Sequence, residues 1–562
     1  MGDNKKNSIA GVISEHARET VIGLLDSAVE NCPDKPFVMF PDHNGYGMSY
    51  SDAYQGARCV ANALRNKGIK PGGRVAIYLS NSPTYIWAWM GVLMAAAVDV
   101  TVNTGLRGTS LAYVLGKARV DAIITNRAGV ANLASISDNT HEPPIILLED
   151  DEAGISQQVS SLKWGHWDLA TGLEPIIAGD HDRAFKCSGP FELSSIRFTS
   201  GSTGFPKGVM MSQAHMLANA RMYNHVSGLG AADTLYTCFP VHHVFASVMG
   251  ILSVLCAQAT LVLARKFSAS QFWHHVRHYG VTISQILDAP AAILLTNPES
   301  EQDRNHPCRV MYTTSVDMPR FEERFGVRIA RLFDMSELTA ITYYPEGLAR
   351  REGSCGVSSG LFDICILDDD DCPVAVGEEG QIAVRPRIPH VMMMGYFDDA
   401  DLTVERWSNL WYHTNDRGVL DADGYLYFKG RLGDRIRRRG VNVSASELEA
   451  IAGQHSAVAE SAVIAVPAEL GEDEIKLCVT LRQESSATPA ELLEHMSRNL
   501  PKSLVPRYVE IRTGFPRTDT EKIRKNVLRE EGNHGLTAST WDVVTQDFIA
   551  ASATEDAGGA HG

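Results

Sequence analysis

An α/β fold with largely parallel sheets, followed by a smaller α+β domain, is what this sequence predicts. Three observations point there. Short apolar runs alternate with helical segments through the first several hundred residues, the pattern of βαβ units. A chain of 562 residues is too long for one ordinary hydrophobic core. The character then changes at residues 430–440, GRLGDRIRRRG, a dense basic run placed before a new helix start.

The elements follow in order. Residues 74–79, RVAIYL, read as a buried strand, residues 84–98 as an apolar helix, and residues 121–125, DAIIT, as the next strand. Residues 244–264, VFASVMGILSVLCAQATLVLA, are long and uncharged enough to imitate a membrane span. A buried helix, a break at Ala257-Gln258-Ala259-Thr260 and a short parallel strand LVLA fit the surrounding alternation better. Residues 380–385, GQIAVR, and 424–428, GYLYF, read as antiparallel strands beside Gly-rich turns. Ser444-Ala445-Ser446-Glu447 is a capping box that opens a helix. The boundaries expected are therefore 1–432, 433–535 and a Gly- and Ala-rich flexible tail over 536–562.

Composition narrows the function. The chain is 44% hydrophobic and 21% charged, as a globular protein is, and its net charge of -16 disfavours nucleic acid or an anionic membrane as a general partner. Its 10 cysteines show no CxxC pair and no zinc spacing, so reduced thiols and a cytoplasmic setting are expected. The opening MGDNKKNSIAGVISEHARE has no apolar signal core, and Lys6 stands where a myristoylation pattern needs Ser or Thr.

One loop concentrates unusual chemistry. Residues 197–208, RFTSGSTGFPKG, hold four hydroxyl side chains, three glycines and one lysine. Glycine lets the backbone approach a ligand, Ser and Thr donate hydrogen bonds, and lysine adds a mobile positive charge. Together they make a cradle for an oxygen-rich anion such as phosphate. Gly208 after Lys207 and the glycine spacing exclude a Walker loop. On composition alone the stretch is equally a flexible turn.

Further segments then decide. The loop resembles the phosphate-binding signature of the adenylate-forming superfamily, which includes acyl-CoA synthetases, amino-acid adenylation domains and beetle luciferases. Phe333-Asp334-Met335-Ser336-Glu337 resembles that family's YGxTE, and residues 411–418, WYHTNDRG, its WxxTGDxG. Gly430-Arg431 with residues 439–443, RGVNV, resembles its interdomain motif, and residues 516–523, PRTDTEKI, its PRTxxGKI. The matches run in the family's order up to about residue 530, and the chain looks most like medium- and long-chain or carnitine-type CoA ligases. The resemblance implies a large N-terminal domain of layered, mostly parallel sheets with helices and a small β-barrel-like part, and a small mobile C-terminal lid.

It also implies the chemistry: ATP-dependent conversion of a carboxylic acid to acyl-AMP with release of pyrophosphate, then thioester formation with CoA, with Mg²⁺ as metal. Repelling anions must be brought together, so positioning and charge neutralisation dominate. By that likeness Thr199, Ser200, Gly201, Ser202, Thr203, Gly204 and Lys207 cradle the polyphosphate, Glu337 helps hold Mg²⁺, and Ser336 reaches the α-phosphate. Phe333 stacks on adenine, Asp416 takes the ribose diol with Arg431 nearby, and Lys522 is the catalytic lysine. Without the likeness, Glu337 reads as a solvated helix-start carboxylate, Asp416 as a turn residue and Lys522 as one surface lysine among many. His243 matches an aromatic gate, although a lone His is more often a packed structural residue. Arg439 and Gly440 are assigned to CoA, although a solvated basic face accounts for the run equally well. Gly433 falls at the hinge.

The acyl pocket is expected along Val244, Ala246, Ser247, Gly250, Ala289, Thr313, Thr314 and Ser315; small side chains there leave room for a bulky, mainly apolar acid. Val244 stands where amino-acid-activating relatives keep a carboxylate. Four departures stand out: Asp334 and Asn415 replace motif glycines, Gly433 replaces a hinge Asp or Lys, and Asp519-Thr520-Glu521 lacks the Ser-Gly pair before Lys522. They question lid exchange more than adenylation. An adenylating half-enzyme that passes acyl-AMP to a separate thioester-forming partner is the rival enzyme reading, a degenerate nucleotide-binding protein the non-enzymatic one. A homodimer is compatible with either.

Overall fold

The computed structural model describes residues 8–136, 145–147, 166–168, 188–199, 206–286, 288–312, 318–432, 435–438, 441–467, 473–500, 504–518 and 522–549. The chain divides into two compact units. The larger takes Met1–Cys365, Ala383–His413 and Asp421–Leu426, the smaller Ile366–Ile382, Thr414–Leu420 and Tyr427–Gly562.

The larger unit contains two seven-stranded sheets. In one, the order is His166–Asp168, Ile145–Leu147, Ala122–Thr125, Arg74–Tyr78, Val98–Thr101, Leu193–Thr199 and Lys207–Ser212. All neighbours are parallel except the last pair, an antiparallel hairpin. The expected strands at 74–79 and 121–125 are present. The helix expected over 84–98 is Pro83–Met94, started by Pro at its first turn and a Ser82 side-chain cap. It stops early because Ala96 takes a left-handed φ of 58°, which turns the chain into the buried strand Val98–Thr101.

The second sheet runs Arg328–Ala330, Val310–Tyr312, Ile283–Gln285, Thr234–Thr237, Thr260–Leu263, Pro36–Phe40 and Tyr46–Ser49, again parallel up to a final hairpin. The span-like segment resolves as read: a buried helical stretch over residues 244–257, then Thr260–Leu263 inside the sheet. Gln258 makes the break with a left-handed φ of 52°. Its middle, Ser247–Leu252, is π-helical, a detail the apolar run does not reveal. Among the described residues no helix is long and apolar enough to cross a membrane.

The smaller unit is built on a five-stranded sheet, Val458–Pro467, Asp473–Leu481, Tyr508–Arg512, Thr540–Asp542 and Asp547–Phe548, with helices Ala445–Gly453 and Pro489–Asn499 packed through Leu448, Leu492, Leu493 and Met496. Its buried Lys476 is paired with Glu510 and donates to the Gly535 carbonyl at 2.6 Å. Residues 540–542 and 547–548, expected in a flexible tail from residue 536, are strands. Thr540 and Asp542 are buried, Arg507 holds Asp542 at 3.0 Å, and Trp541 pairs with Val509 across the sheet. The Gly- and Ala-rich residues that follow hid these strands.

Candidate active site

The strands on either side of the hydroxyl-rich loop pair as a β-hairpin. Leu193–Thr199 and Lys207–Ser212 pair antiparallel, with Thr199 opposite Lys207 and Phe198 opposite Gly208. Both Thr199 and Lys207 are half-buried; Ser200, Gly201, Ser202, Thr203 and Gly204 lie outside the described residues. Gly208 has a packing reason: a Cβ there would sit 3.0 Å from Ile196 Cγ2 and 3.2 Å from Phe397 Cβ.

Beneath the hairpin lies a charge pair that the motif does not announce. Arg197 and Asp99 are buried and 3.0 Å apart. Asp99 also accepts from Thr101 at 2.8 Å and Ser195 at 3.0 Å, and Arg197 Nε donates to Ser195 Oγ at 2.9 Å. A buried pair like this adds little net stability, but removing one partner leaves a charge stranded. It fixes the strand that delivers Thr199.

Glu337 sits at the tight turn between Leu332–Met335 and Leu338–Tyr343 and is only 8% exposed. Tyr396 Oη donates to Glu337 Oε1 at 2.8 Å, and Tyr412 Oη lies 3.2 Å from Tyr396 Oη. Since the Tyr396 proton is committed to the carboxylate, Tyr412 is the donor in the second bond. Burial, then the Glu337 charge, pushes both phenols above the ordinary tyrosine range, so both stay protonated. The Lys207 ammonium stands 6.0 Å from the centre of the Tyr396 ring. The sequence reading missed Tyr396 altogether; its only signal was a Gly-Tyr pair inside the Met-rich stretch 391–397, VMMMGYF.

Ser336 and Phe333 flank Glu337 and are half-buried. Asp334, which replaces a motif glycine, lies in a strand and needs no left-handed backbone. Asn415 is different. Its φ is 60°, the left-handed region that favours glycine and that asparagine tolerates best among the rest. Gln381 donates to its side-chain oxygen at 3.2 Å. The turn thereby keeps its shape, with Asp416 buried and its carboxylate 3.5 Å from Arg431 Nε.

Lys522 lies in the smaller unit on an exposed connection. Its backbone N–H donates to Thr518 Oγ1 at 3.1 Å, its carbonyl accepts from Thr518 N–H at 2.8 Å, and Arg517 bridges to Ile523. Asp519, Thr520 and Glu521 lie outside the described residues, as do Gly433, Arg439, Gly440, Thr313, Thr314 and Ser315.

On the acyl side, His243 precedes the helix Val244–Ala246 and its carbonyl accepts from Ser247 Oγ at 2.8 Å. The His242 and His243 rings are 4.7 Å apart. Burial, with His243 and Arg197 nearby, holds His242 well below the ordinary imidazole range. Tyr85 donates to the Val241 carbonyl at 3.1 Å and Asn81 takes the Val241 N–H at 2.9 Å, so this loop is braced from behind. Ser247 and Gly250 are buried, Val244 half-buried, and a Cβ on Gly250 would meet only ordinary contacts, the nearest Gln285 Oε1 at 3.6 Å.

Among the described residues no group of three or more His, Cys, Asp and Glu side chains converges as a metal cage. A lone, oriented carboxylate such as Glu337 suits a Mg²⁺ whose other ligands are phosphate and water oxygens.

Residues 25–397 match the AMP-binding enzyme family, and residues 447–522 match the AMP-binding enzyme C-terminal domain. The crotonobetaine/carnitine–CoA ligase of Salmonella paratyphi A is 28% identical over 525 residues, covering 90% of this chain and 98% of the relative. That of Salmonella typhimurium is 29% identical over 511 residues, covering 88% and 96%. The anthranilate CoA ligase AuaEII in complex with anthranoyl-AMP has a similar structure, with a TM-score of 0.80 at 22% identity over 92% of this chain and 98% of that one. ATP-bound MatB from Rhodopseudomonas palustris gives 0.79 at 21% identity, covering 91% and 99%. At those identities the structural likeness speaks for the fold.

Proposed function

This chain belongs to the AMP-binding enzyme family, and on that premise we propose that it is an AMP-forming acid–thiol ligase. A carboxylate is a poor acyl donor because oxide is a poor leaving group. A carboxylate oxygen therefore attacks the α-phosphorus of ATP, the bond to the bridging oxygen breaks, and pyrophosphate leaves. In the second step the sulfur of CoA attacks the acyl carbon of acyl-AMP, AMP leaves, and the thiol proton is released.

We assign Thr199, the loop 200–204 and Lys207 to the polyphosphate, with Ser336 toward the α-phosphate. Phe333 goes to the adenine and Asp416 with Arg431 to the ribose. Glu337 is the protein carboxylate for Mg²⁺, which when bound offsets negative charge on the nucleotide. Lys522 supplies the positive charge for the two anions as they join. The observation that carries the reading is the half-buried Lys207 and the buried Glu337 addressed by one phenol. A purely structural hairpin has no need to place an ammonium over a ring whose hydroxyl grips a buried carboxylate.

For the acid we propose a bulky, mainly apolar carboxylate, supported by the small residues Ala246, Ser247 and Gly250. The Salmonella relatives are named for crotonobetaine and carnitine, so quaternary-ammonium acids belong in the same test. A reducing, cytoplasmic setting fits the nine free cysteines among the described residues. The test is pyrophosphate release across an acid panel with and without CoA, with AMP and acyl-CoA measured separately. A bulky apolar acid should give acid-dependent pyrophosphate, and acyl-CoA once CoA is added. Acyl-AMP without any thioester favours a separate thioester-forming partner, acetate preference overturns the pocket assignment, and no exchange with any acid despite ATP binding overturns the enzyme reading.

A further inference from the structure

The backbone around Tyr396 joins two strands far apart in sequence. Leu338 bridges to Met392, the Met393 N–H donates to the carbonyl of Glu337 itself at 2.8 Å, and Thr339 N–H donates to Val391 at 2.9 Å. On its other side the segment is held by Met394 N–H to Met210 at 2.8 Å, Met210 N–H to Gly395 at 3.0 Å, Phe397 N–H to Gly208 at 2.7 Å, and a bridge from Val209 to Tyr396. Gly395 makes the crossing at φ 125°, and the Tyr396 N–H is fixed by Thr403 Oγ1 at 2.9 Å. The strand that begins with Lys207 and the turn that carries Glu337 are thus stitched by one short segment. Its central side chain bonds Glu337 and places its ring under the Lys207 ammonium.

The phenol makes its two contacts with different parts of itself. Its edge hydroxyl donates to Glu337 Oε1 at 2.8 Å; its ring face lies 6.0 Å from the Lys207 ammonium, at the outer limit for a cation over an aromatic ring. Tyr412 Oη lies 3.2 Å from Tyr396 Oη and, with the Tyr396 proton on Glu337, is the donor of that bond. A donor whose own oxygen accepts a bond is polarised and donates more strongly. One carboxylate oxygen of Glu337 is thereby tied and the carboxylate plane is set.

We propose that Tyr396 is a positioning residue that couples the metal carboxylate to the phosphate lysine: its hydroxyl orients Glu337 toward Mg²⁺ and its ring seats Lys207, with Tyr412 as the supporting donor. The proposal rests on the assignment of Glu337 and Lys207 above. Tyr396 touches no reacting atom in this account. Groups that orient a metal ligand typically alter metal affinity about 10–100-fold when removed. A cation–ring contact of this kind is worth a factor of roughly 2–5.

Two substitutions separate the two contacts. Tyr396→Phe keeps the ring and deletes the hydroxyl; Tyr396→Leu deletes both. ATP binding to the full chain is titrated calorimetrically in Mg²⁺ and in EDTA, and Mn²⁺ bound in the presence of ATP is counted by electron paramagnetic resonance. Tyr396→Phe should lose about tenfold of the Mg²⁺-dependent gain in ATP affinity and weaken Mn²⁺ similarly, while its affinity in EDTA stays within about twofold. Tyr396→Leu should in addition lose about threefold in EDTA. Tyr412→Phe should shift the Mg²⁺ gain in the same direction by about two- to threefold, and serves if either Tyr396 variant fails to fold. A Tyr396→Phe or, in its place, Tyr412→Phe chain with the full wild-type Mg²⁺ gain overturns the proposal. So does equal loss in Mg²⁺ and EDTA, which marks a purely structural tyrosine. A wild-type chain whose ATP affinity ignores Mg²⁺ overturns the Glu337 assignment as well, and that outcome shows before any substitution is made.

Discussion

Glu337 and Lys522 are the two charged residues on which the proposed chemistry turns, and their surroundings could hardly differ more. Glu337 is 8% exposed, its carboxylate tied to Tyr396, its backbone stitched to Met393, its turn clamped between two strands. Lys522 is exposed, beside backbone bonds between Thr518 and Lys522 and between Pro516 and Arg524 and an ion pair between Arg517 and Glu460. Preorganised groups stabilise charge without rearranging during reaction, which suits a site for an anion that stays put. A cation required at one step only is better carried on an exposed element than in a buried one. Binding and chemistry should therefore separate when these residues are changed one at a time.

The largest effect is expected from Lys522→Ala. Acid-dependent pyrophosphate exchange should fall on the order of 10²–10³-fold, as when one charge-stabilising donor is removed. Equal losses in exchange and in MgATP affinity would break the contrast, because the lysine would then be part of the fixed cradle. Glu337→Gln comes next: the Mg²⁺ concentration for half-maximal exchange should rise about 10–100-fold, read from a metal titration. No change in that concentration would remove Glu337 from the metal.

Asn415 sharpens the same comparison on the nucleotide side. Asn415→Gly should leave ATP affinity and melting behaviour near wild type, since glycine accepts φ 60° freely. Asn415→Val should destabilise by about 1–2 kcal/mol and weaken ATP binding, because a β-branched residue resists that backbone. Denaturant titration of both variants checks it.

The smallest effect concerns the packed floor behind the hairpin. His215 is fully buried, neither ring nitrogen has a hydrogen-bond partner in the structure, and burial lowers its pKa to about 3 from 6.5. The folded value lies below the unfolded one, so between them the unfolded chain binds the proton that the folded chain refuses. Stability therefore falls as pH drops below 6.5, by at most about 1.4 kcal/mol per pH unit from this group. Urea unfolding of His215→Phe at pH 7 and pH 5 should show a shallower loss than wild type; parallel losses would contradict the assignment.

How much of this was legible in the sequence follows from the same contrast. Alternating apolar runs disclosed the parallel sheets, because buried strands and helices are written in consecutive residues. The hydroxyl-rich loop and the PRTDTEKI stretch were likewise local. Tyr396 was not legible, since its importance lies in bonding Glu337, 59 positions away, and facing Lys207, farther still. The Asp99–Arg197 pair was hidden for the same reason: each residue alone reads as an interruption of an apolar strand. Asn415 was visible as a departure, but only its φ of 60° explains why it is tolerated. The strands at 540–548 were hidden by the Gly- and Ala-rich residues that follow them.

The most direct measurement is a rapid-quench single turnover of Lys522→Ala at saturating MgATP and acid, with the MgATP dissociation constant measured on the same protein. Acyl-adenylate should form at least about a hundredfold more slowly while the dissociation constant stays within a few-fold of wild type. Acyl-adenylate appearing at the wild-type rate would contradict the division of labour between a fixed cradle and a separately carried cation.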